Sequence, residues 1–317
     1  MEIHTIMKRS IIIGAITVST FTACNQSQNN TTANQSPIDT SAFKMPVRQP
    51  STALSAYQSF IDTLDSLDVN TASLAAQKYQ ILFQQEEAPI RDSGYILFNN
   101  YYEKLERNLN ELHVKDTADY YALLPGYTTN KRNTPTDRQK QYVESLHKNG
   151  FQLASAEGMT YIIPDLDVIS SWFDAYVTPT MKEYLIQLNK ENKEGFAADA
   201  GITISPQQLV DRTTWWEGFI KRNPSFVLLN ETKEQRKYLF TVLILGMENT
   251  PVKSYQNGDL EPFYKTAYDY LQKTYPESET NQLVAPYYKA LQRKQTKLAD
   301  SLINEYRSKG YLMNFGA

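Results

Sequence analysis

Apolar side chains recur with a helical period along most of this chain after about residue 51, and glycine, which interrupts helices, occurs only 12 times in 317 residues. Residues 205–224 show the pattern most fully. Ser205 suits the N-cap, Pro206 the first helical position, and Gln208 completes a capping box. The apolar side chains that follow fall on one helix face: Leu209, Val210, Trp216, Phe219 and Ile220. The segment therefore predicts an amphipathic helix that ends at Asn223-Pro224.

Similar patterns predict further helices at residues 53–68, 71–86, 95–113, 136–148, 165–176, 179–193, 259–274 and 283–309. The segment from Glu231 begins polar and continues as YLFTVLILGM, which is apolar nearly all round, so we expect a centrally buried helix there. Because Pro251 disfavours helical backbone at Thr250, this helix should end near Glu248.

Two short extended runs interrupt the helical pattern. Residues 151–155 and 159–163 flank Glu157-Gly158, and this arrangement predicts a small β-hairpin that packs on neighbouring helices. The fold class is therefore mostly α, as an irregular helical bundle or helical-hairpin array with one small β-hairpin at about 151–163. The turn at 148–150 is a candidate boundary between subdomains 51–150 and 151–317.

Residues 267–291, AYDYLQKTYPESETNQLVAPYYKAL, resemble one helix pair of a tetratricopeptide-type array, with a break between the helices at Tyr275-Pro276. Repeat architectures need about three units to bury a continuous core, and no second or third unit is found. An ordinary antiparallel helix pair is the favoured interpretation of this segment.

The N-terminal pattern differs from that of the body. The basic pair Lys8-Arg9 precedes the apolar stretch 11–21, and small Thr22-Ala23 lead to Cys24, the only cysteine of the chain. This order is typical of a secretory signal. A helix needs about 20 apolar residues to span a bilayer, so this short stretch predicts a cleaved segment rather than a membrane span.

The small residue before Cys24, at the end of an apolar run, resembles the lipobox of bacterial lipoproteins, with Phe21 standing where that pattern prefers Leu. The resemblance implies that 1–23 is a signal peptide and that Cys24 becomes the acylated N-terminus. Asn25 in place of Asp resembles the outer-membrane class, with the protein facing the periplasm. The alternatives are an ordinary cleaved signal with an incidental cysteine, or a buried core thiol.

Residues 25–50 are rich in Asn, Gln, Ser and Thr and poor in large apolar side chains. Such a composition buries too little surface to offset the entropy of ordering, so we predict a flexible linker over 24–50 that joins a lipid anchor to the body at 51–317. With its only cysteine at position 24, the body has no disulfide available to it.

The charge balance limits the partners. The chain carries 32 basic and 35 acidic residues and a net charge of −3, with the two signs interspersed. This balance excludes the basic footprint of a nucleic-acid-binding protein at the level of the whole chain, so we predict no nucleic-acid partner.

One stretch concentrates side chains that could carry chemistry: Glu157, Tyr161, Asp165, Asp167, Trp172 and Asp174. Paired carboxylates beside aromatics are what glycoside cleavage requires. A structural interpretation is favoured, because Asp165 can cap the helix that follows and Asp167 in its first turn interacts well with the helix dipole. Glu157 beside Gly158 fits a hairpin turn.

His113 and His147 lie near predicted helix ends, and neither has a second histidine at metal-ligand spacing. The sequence contains no GxxxxGK[ST], GxGxxG, HExxH or GxSxG string and no calcium loop. We therefore assign no catalytic, cofactor-binding or metal-binding residue, and the lipidation site Cys24 is the one site residue predicted.

The chain has 22 tyrosines, 13 phenylalanines and three tryptophans, several of them in adjacent pairs such as Trp215-Trp216. Core packing accounts for most of them. The leading functional hypothesis is a non-enzymatic binding or scaffolding lipoprotein that contacts the membrane through its lipid and contacts envelope proteins or cell-wall glycans. Two alternatives are an envelope hydrolase acting on glycans through carboxylates near Asp165, and a carbohydrate or peptide binder with aromatics around Trp215.

Overall fold

A computed structural model describes residues 52–124, 134–156 and 158–313 of the chain, which form eleven α-helices and three antiparallel hairpins. The helices are α1 Thr52–Asp62, α2 Thr71–Phe83, α3 Ala88–His113, α4 Asp137–Lys148, α5 Leu166–Phe173, α6 Pro179–Glu194, α7 Pro206–Arg222, α8 Leu229–Leu245, α9 Pro262–Thr274, α10 Glu279–Gln292 and α11 Thr296–Ser308. The strands are β1 Phe151–Ala156, β2 Met159–Pro164, β3 Ala197–Ala198, β4 Gly201–Ile202, β5 Gly246–Met247 and β6 Thr250–Pro251. The mostly α prediction is confirmed.

Aromatic rings fill the core between the first three helices. Tyr79 and Phe83 of α2 stack with their ring centroids 4.7 Å apart, and Tyr57 of α1 meets Phe83 edge to face at 5.4 Å. Gly94 lets α3 cross close to this cluster, since a Cβ atom there would lie 2.6 Å from the ring of Phe83. Close ring packing therefore sets the spacing of α2 and α3.

The hairpin β1–β2 pairs Phe151 with Pro164 and Ala156 with Met159, as predicted for this region. Gly158 has φ +80°, a conformation that glycine adopts at little cost. Asn110 of α3 extends the sheet, because its side chain donates to the Ile162 carbonyl and accepts from the Ile162 N–H, both at 2.8 Å. The hairpin thus packs on helices that precede it in the chain.

Helices α6, α7 and α8 surround Trp216, which is fully buried. The ring of Tyr184 on α6 meets that of Trp216 at 5.7 Å and that of Phe226 at 5.3 Å. The capping box at Ser205 and Gln208 and the end of α7 before Pro224 are confirmed. The apolar segment of α8 is buried, and the helix ends at Leu245 because Gly246 takes φ +77°.

The prediction of one helix over 283–309 is wrong. Two helices, α10 and α11, occupy this region, and α10 begins at Glu279 after an N-cap at Ser278. Between them the Gln295 N–H donates to the Ala290 carbonyl and the Lys294 N–H to the Leu291 carbonyl, with Lys294 at φ +54°. This is a Schellman-type helix end with lysine at the position where glycine is usual.

The structure also contains two very short hairpins that the sequence analysis did not predict, β3–β4 after α6 and β5–β6 after α8. The Asn249 N–H donates to the Ala200 carbonyl at 3.0 Å, which joins the two turns. Asp199 and Ala200 both have positive φ, as a two-residue type I′ turn requires. Within the described ranges, no helix has the length and apolar character needed to cross a bilayer.

Candidate functional site

The predicted lipidation site Cys24, the signal peptide 1–23 and the linker 24–50 lie outside the described residues, as does Glu157. These predictions therefore stay predictions. The subdomain boundary at 148–150 also stays a prediction. The Gly150 carbonyl accepts hydrogen bonds from Tyr102 Oη, which precedes this boundary in the chain, and from the Asp165 N–H, which follows it.

Asp165 and Asp167 have structural partners. Asp165 Oδ1 accepts from the Asp167 and Val168 N–H groups at 3.2 and 3.3 Å, which confirms it as the N-cap of α5. Asp167 bonds Lys193 Nζ at 2.7 Å and Asn189 Nδ2 at 2.8 Å, and these donors hold the pKa of its carboxyl below the ordinary value. Asp167 therefore stays ionised, which suits an ion pair rather than a general acid.

Asp174 lies at the opposite end of α5, where Lys182 Nζ is 3.2 Å from its carboxylate. Trp172 packs rather than projecting freely: its ring meets that of Phe98 edge to face at 6.2 Å, and it crowds Gly150, where a Cβ would lie 3.1 Å away. Tyr161 pairs with Ala154 across the hairpin. The cluster seen in the sequence is thus spread along α5 and β2.

His113 bridges α3, α4 and β2. Its Nε2 lies 2.9 Å from Thr160 Oγ1 and its Nδ1 lies 3.2 Å from Tyr142 Oη. Burial lowers the pKa of His113, which keeps the ring neutral near pH 7. His147 Nδ1 is 3.9 Å from Asp165 Oδ2. Among the described residues, no group of three His, Cys, Asp or Glu side chains could hold a metal ion.

The adjacent aromatic pairs serve mainly the core. Both members of Tyr101-Tyr102 and of Tyr287-Tyr288 are buried. Trp215 stacks on the ring of Phe219 at 5.2 Å with 17° between the planes. One face of Trp215 is therefore covered within its own helix.

A buried carboxylate lies where α6, α7 and α8 meet. Glu191 accepts from Gln187 Nε2 at 2.7 Å, from Trp216 Nε1 at 2.8 Å and from Gln235 Nε2 at 3.3 Å. Burial raises its pKa, although these donors and the Arg212 charge act in the opposite direction. With donors from three helices on one enclosed carboxyl group, Glu191 joins those helices.

The strongest candidate binding site is an open groove of about 610 Å³ between α7, α8, α10 and the turn at 310–311, which we term the Arg236 groove. Four cationic side chains line it: Lys221, Lys233, Arg236 and Lys237. Four carboxylates line it as well: Glu217, Glu234, Glu277 and Glu279. Charges of both signs in one concave surface provide specific polar contacts for a ligand.

Glu217 of α7 caps α10 from outside that helix. Its Oε1 accepts from the Glu279 N–H at 2.7 Å, and its Oε2 accepts from the Thr280 N–H at 2.9 Å and from Thr280 Oγ1 at 2.7 Å. These bonds satisfy N–H groups that a helix start leaves without partners and place the negative charge at the positive end of the dipole.

The Arg236 guanidinium lies near the Glu217 carboxylate, at a distance too long for a hydrogen bond. Its Nη2 is 3.8 Å from Glu217 Oε2 and 3.5 Å from Glu279 Oε2, and the side chain is only 14 % exposed. Its Nε and Nη2 atoms are buried and have no hydrogen-bond partner in the described structure. The guanidinium instead lies over the Phe240 ring, 5.5 Å from the centroid. Its hydrogen-bonding capacity is therefore largely unused.

A second groove, of about 490 Å³, lies between the loop before α9 and the α10–α11 turn. Of its three lysines, Lys265 is paired with Asp269 and Lys294 with Asp259, both at 2.7 Å, so local aspartates neutralise most of its charge. Lys253 is the third. The Arg236 groove has the greater unused donor capacity.

Sequence analysis missed the Arg236 groove. Arg236, Glu217 and Glu279 lie on three helices, and each taken alone is an ordinary charged residue on a helix. The only signal was the capping pattern at Ser278, which places a helix start there but does not show that Glu217 reaches it.

Comparisons of the chain with protein-family models, with curated proteins and with solved structures give no significant match.

Proposed function

We propose that this protein is a lipoprotein of a bacterial cell envelope, anchored through acylated Cys24 to the outer membrane and facing the periplasm, and that its body acts as a binding or scaffolding module without catalysis. The order of basic, apolar and small residues before Cys24 supports the anchor. Several acyl chains on one N-terminus bind a bilayer far more strongly than one chain does.

The observation that carries the binding role is the Arg236 groove. It is open, lined by charges of both signs, and contains a guanidinium with unused donors. A lining with this many charged side chains suits a charged ligand, whose orientation the placed polar groups can fix.

The geometry near Asp165 favours binding over glycoside hydrolysis. Asp165 and Asp174 lie at opposite ends of the eight-residue helix α5, about 13 Å apart along its axis. Paired glycosidase carboxylates lie about 5–10 Å apart. Asp167, which is closer to Asp165, is paired with Lys193.

Cell fractionation tests the anchor. We expect the full chain in the membrane fraction and Cys24→Ala in the soluble fraction, because loss of the thiol removes the acyl attachment. Ser27→Ala, a matched change in the linker, should stay with the membrane. Mass spectrometry should find acyl chains on Cys24, and an unacylated thiol in the mature protein would contradict the proposal.

Incubation with purified cell-wall glycans tests the absence of catalysis. The purified protein should release no soluble sugar fragments, whether or not it sediments with the glycans. Fragment release that is lost in Asp165→Asn would instead support the hydrolase alternative, because this substitution removes the carboxylate at the centre of that hypothesis.

A further inference from the structure

The charges that line the Arg236 groove restrict the ligand to one class. In the described part of the chain, the ammonium groups of Lys221, Lys233 and Lys237 have no ion pair. The carboxylates of Glu234 and Glu277 lie in the same groove. A polyanion would gain from the lysines but would be repelled by the glutamates. A ligand that carries one negative and one positive group is complementary to the lysines and to the glutamates of the groove.

Arg236 is the natural contact for the negative group. A guanidinium binds a carboxylate best through two parallel N–H···O bonds, and the unpartnered Nε and one Nη of Arg236 form such a fork. Its position over Phe240 orients the plane of the guanidinium. Glu217 does not compete for these donors, because three donors of α10 engage its oxygens.

Glu279 now occupies the place of a ligand carboxylate. Its side chain is 52 % exposed, and its oxygen lies 3.5 Å from Arg236 Nη2, longer than a charge-assisted hydrogen bond. Glu279 is the exposed member of this pair, whereas the Arg236 side chain is only 14 % exposed. A ligand carboxylate that takes the place of Glu279 keeps the enclosed guanidinium paired with a negative charge, while the Glu279 side chain turns outward into solvent.

We propose that the Arg236 groove binds a short peptide with a free C-terminal carboxylate, which displaces Glu279 and forms a bidentate pair with Arg236. The positive group of the peptide lies toward the carboxylates of Glu234 and Glu277. This inference deepens the proposed binding role and rests on it, but it does not depend on the lipid anchor.

Isothermal titration of the full chain in detergent with Ala-Ala-Ala and with its C-terminal amide tests the inference. The free acid should bind at least tenfold more tightly than the amide. Arg236→Gln should weaken binding of the acid at least tenfold, whereas Glu279→Gln should strengthen it about threefold because a competing carboxylate is lost. Arg222→Gln, which changes an exposed arginine of α7 paired with Glu183, should leave binding unchanged.

Equal binding of acid and amide would overturn the inference, as would weaker binding by Glu279→Gln. Inorganic phosphate that binds as tightly as the peptide would overturn it as well, because the site would then recognise charge alone. If circular dichroism shows that Arg236→Gln is unfolded, Arg236→Lys replaces it and should lose most of the preference for the acid over the amide. The same titration with Cys24→Ala should give unchanged affinity, so a failed anchor and a failed groove give different results.

Discussion

Single tyrosine residues hold much of the core together through their hydroxyl groups. Tyr57 Oη donates to the Ala75 carbonyl at 2.9 Å, Tyr268 Oη to that of Leu243 at 2.8 Å, and Tyr306 Oη to that of Leu283 at 2.6 Å. A buried polar group without a partner costs about 1–3 kcal/mol, so each bond favours one placement of two helices. Burial raises the pKa of Tyr306 to about 12, and the hydroxyl therefore stays a donor at neutral pH.

Glu103 makes stability depend on pH. Burial raises the pKa of its carboxyl to about 7, against the opposing effects of the Asn99 hydrogen bond and the Arg107 charge. Because the folded-state pKa lies above the ordinary value of 4.5, the folded protein binds the proton more tightly than the unfolded chain. The associated stability is present below about pH 4.5 and is lost as the pH rises through about 7.

We predict that Glu103→Gln removes this loss. As the pH rises from about 4.5 to 8, the parent chain should lose about 2 kcal/mol of unfolding free energy that the variant keeps. This value is smaller than the full pKa shift of Glu103 would give, because solvent partly screens the carboxyl group. Urea denaturation across this pH range measures the difference. Glu111→Gln, an exposed change on the same helix, serves as the control. Parallel pH profiles for Glu103→Gln and the parent would contradict the prediction.

At the scale of helices and strands, helix ends show where local sequence is sufficient. Helices α10 and α11 end with the same pair of backbone bonds, and Gly310 takes the left-handed position after α11 while Lys294 takes it after α10. Glycine at this position is a recognised stop signal, and the predicted end at 309 agrees with it. Lysine at this position is not a recognised stop signal, and the sequence pattern therefore does not predict the break at 293–295.

Glycine positions also separate helix propensity from packing. Gly94 and Gly218 both lie inside long helices, where alanine is favoured by about 1 kcal/mol. At Gly94 an added Cβ would lie 2.6 Å from the Phe83 ring, whereas at Gly218 it would meet only the end of the Arg222 side chain at 3.1 Å. The same substitution should therefore have opposite effects at the two sites.

We expect Gly94→Ala to lower the free energy of unfolding by about 2 kcal/mol, because α2 and α3 must move apart or Phe83 must leave its packed position. Gly218→Ala should raise it by up to about 1 kcal/mol, since Arg222 can move aside. Thermal and urea denaturation measure both variants, each serving as the control for the other. Stabilisation by Gly94→Ala would show that α2 and α3 do not pack as closely as described.

At the scale of the whole molecule, a buried aspartate joins the first helices to the later ones. Asp92 of α3 is 5 % exposed and accepts from the Thr178 N–H at 2.8 Å and from Thr178 Oγ1 at 2.6 Å. Thr178 is also the N-cap of α6. The Asp92 carboxylate therefore holds the start of α6 against α3.

Asp92→Ala should lower the free energy of unfolding by about 3 kcal/mol, because two hydrogen bonds to a charged group are lost and their donors stay buried. Asp167→Ala, which removes an exposed pair with Lys193, should change it by less than about 1 kcal/mol. Urea denaturation followed by circular dichroism measures both. Equal effects of the two substitutions would mean that the Asp92 bonds do not join the two parts of the chain.

The sequence by itself determined the mostly helical class, the hairpin at 151–163 and most helix starts, because hydrophobic period and capping residues act within a few positions of the backbone they control. It also supports the proposed anchor at Cys24, since that pattern is local. The tertiary structure decided which side chains meet. Glu217, Arg236 and Glu279 form one groove because three helices pack together, and Glu191 lies among donors from three helices for the same reason. The free energy of such contacts depends on burial and distance between segments far apart in the chain, which no local pattern encodes.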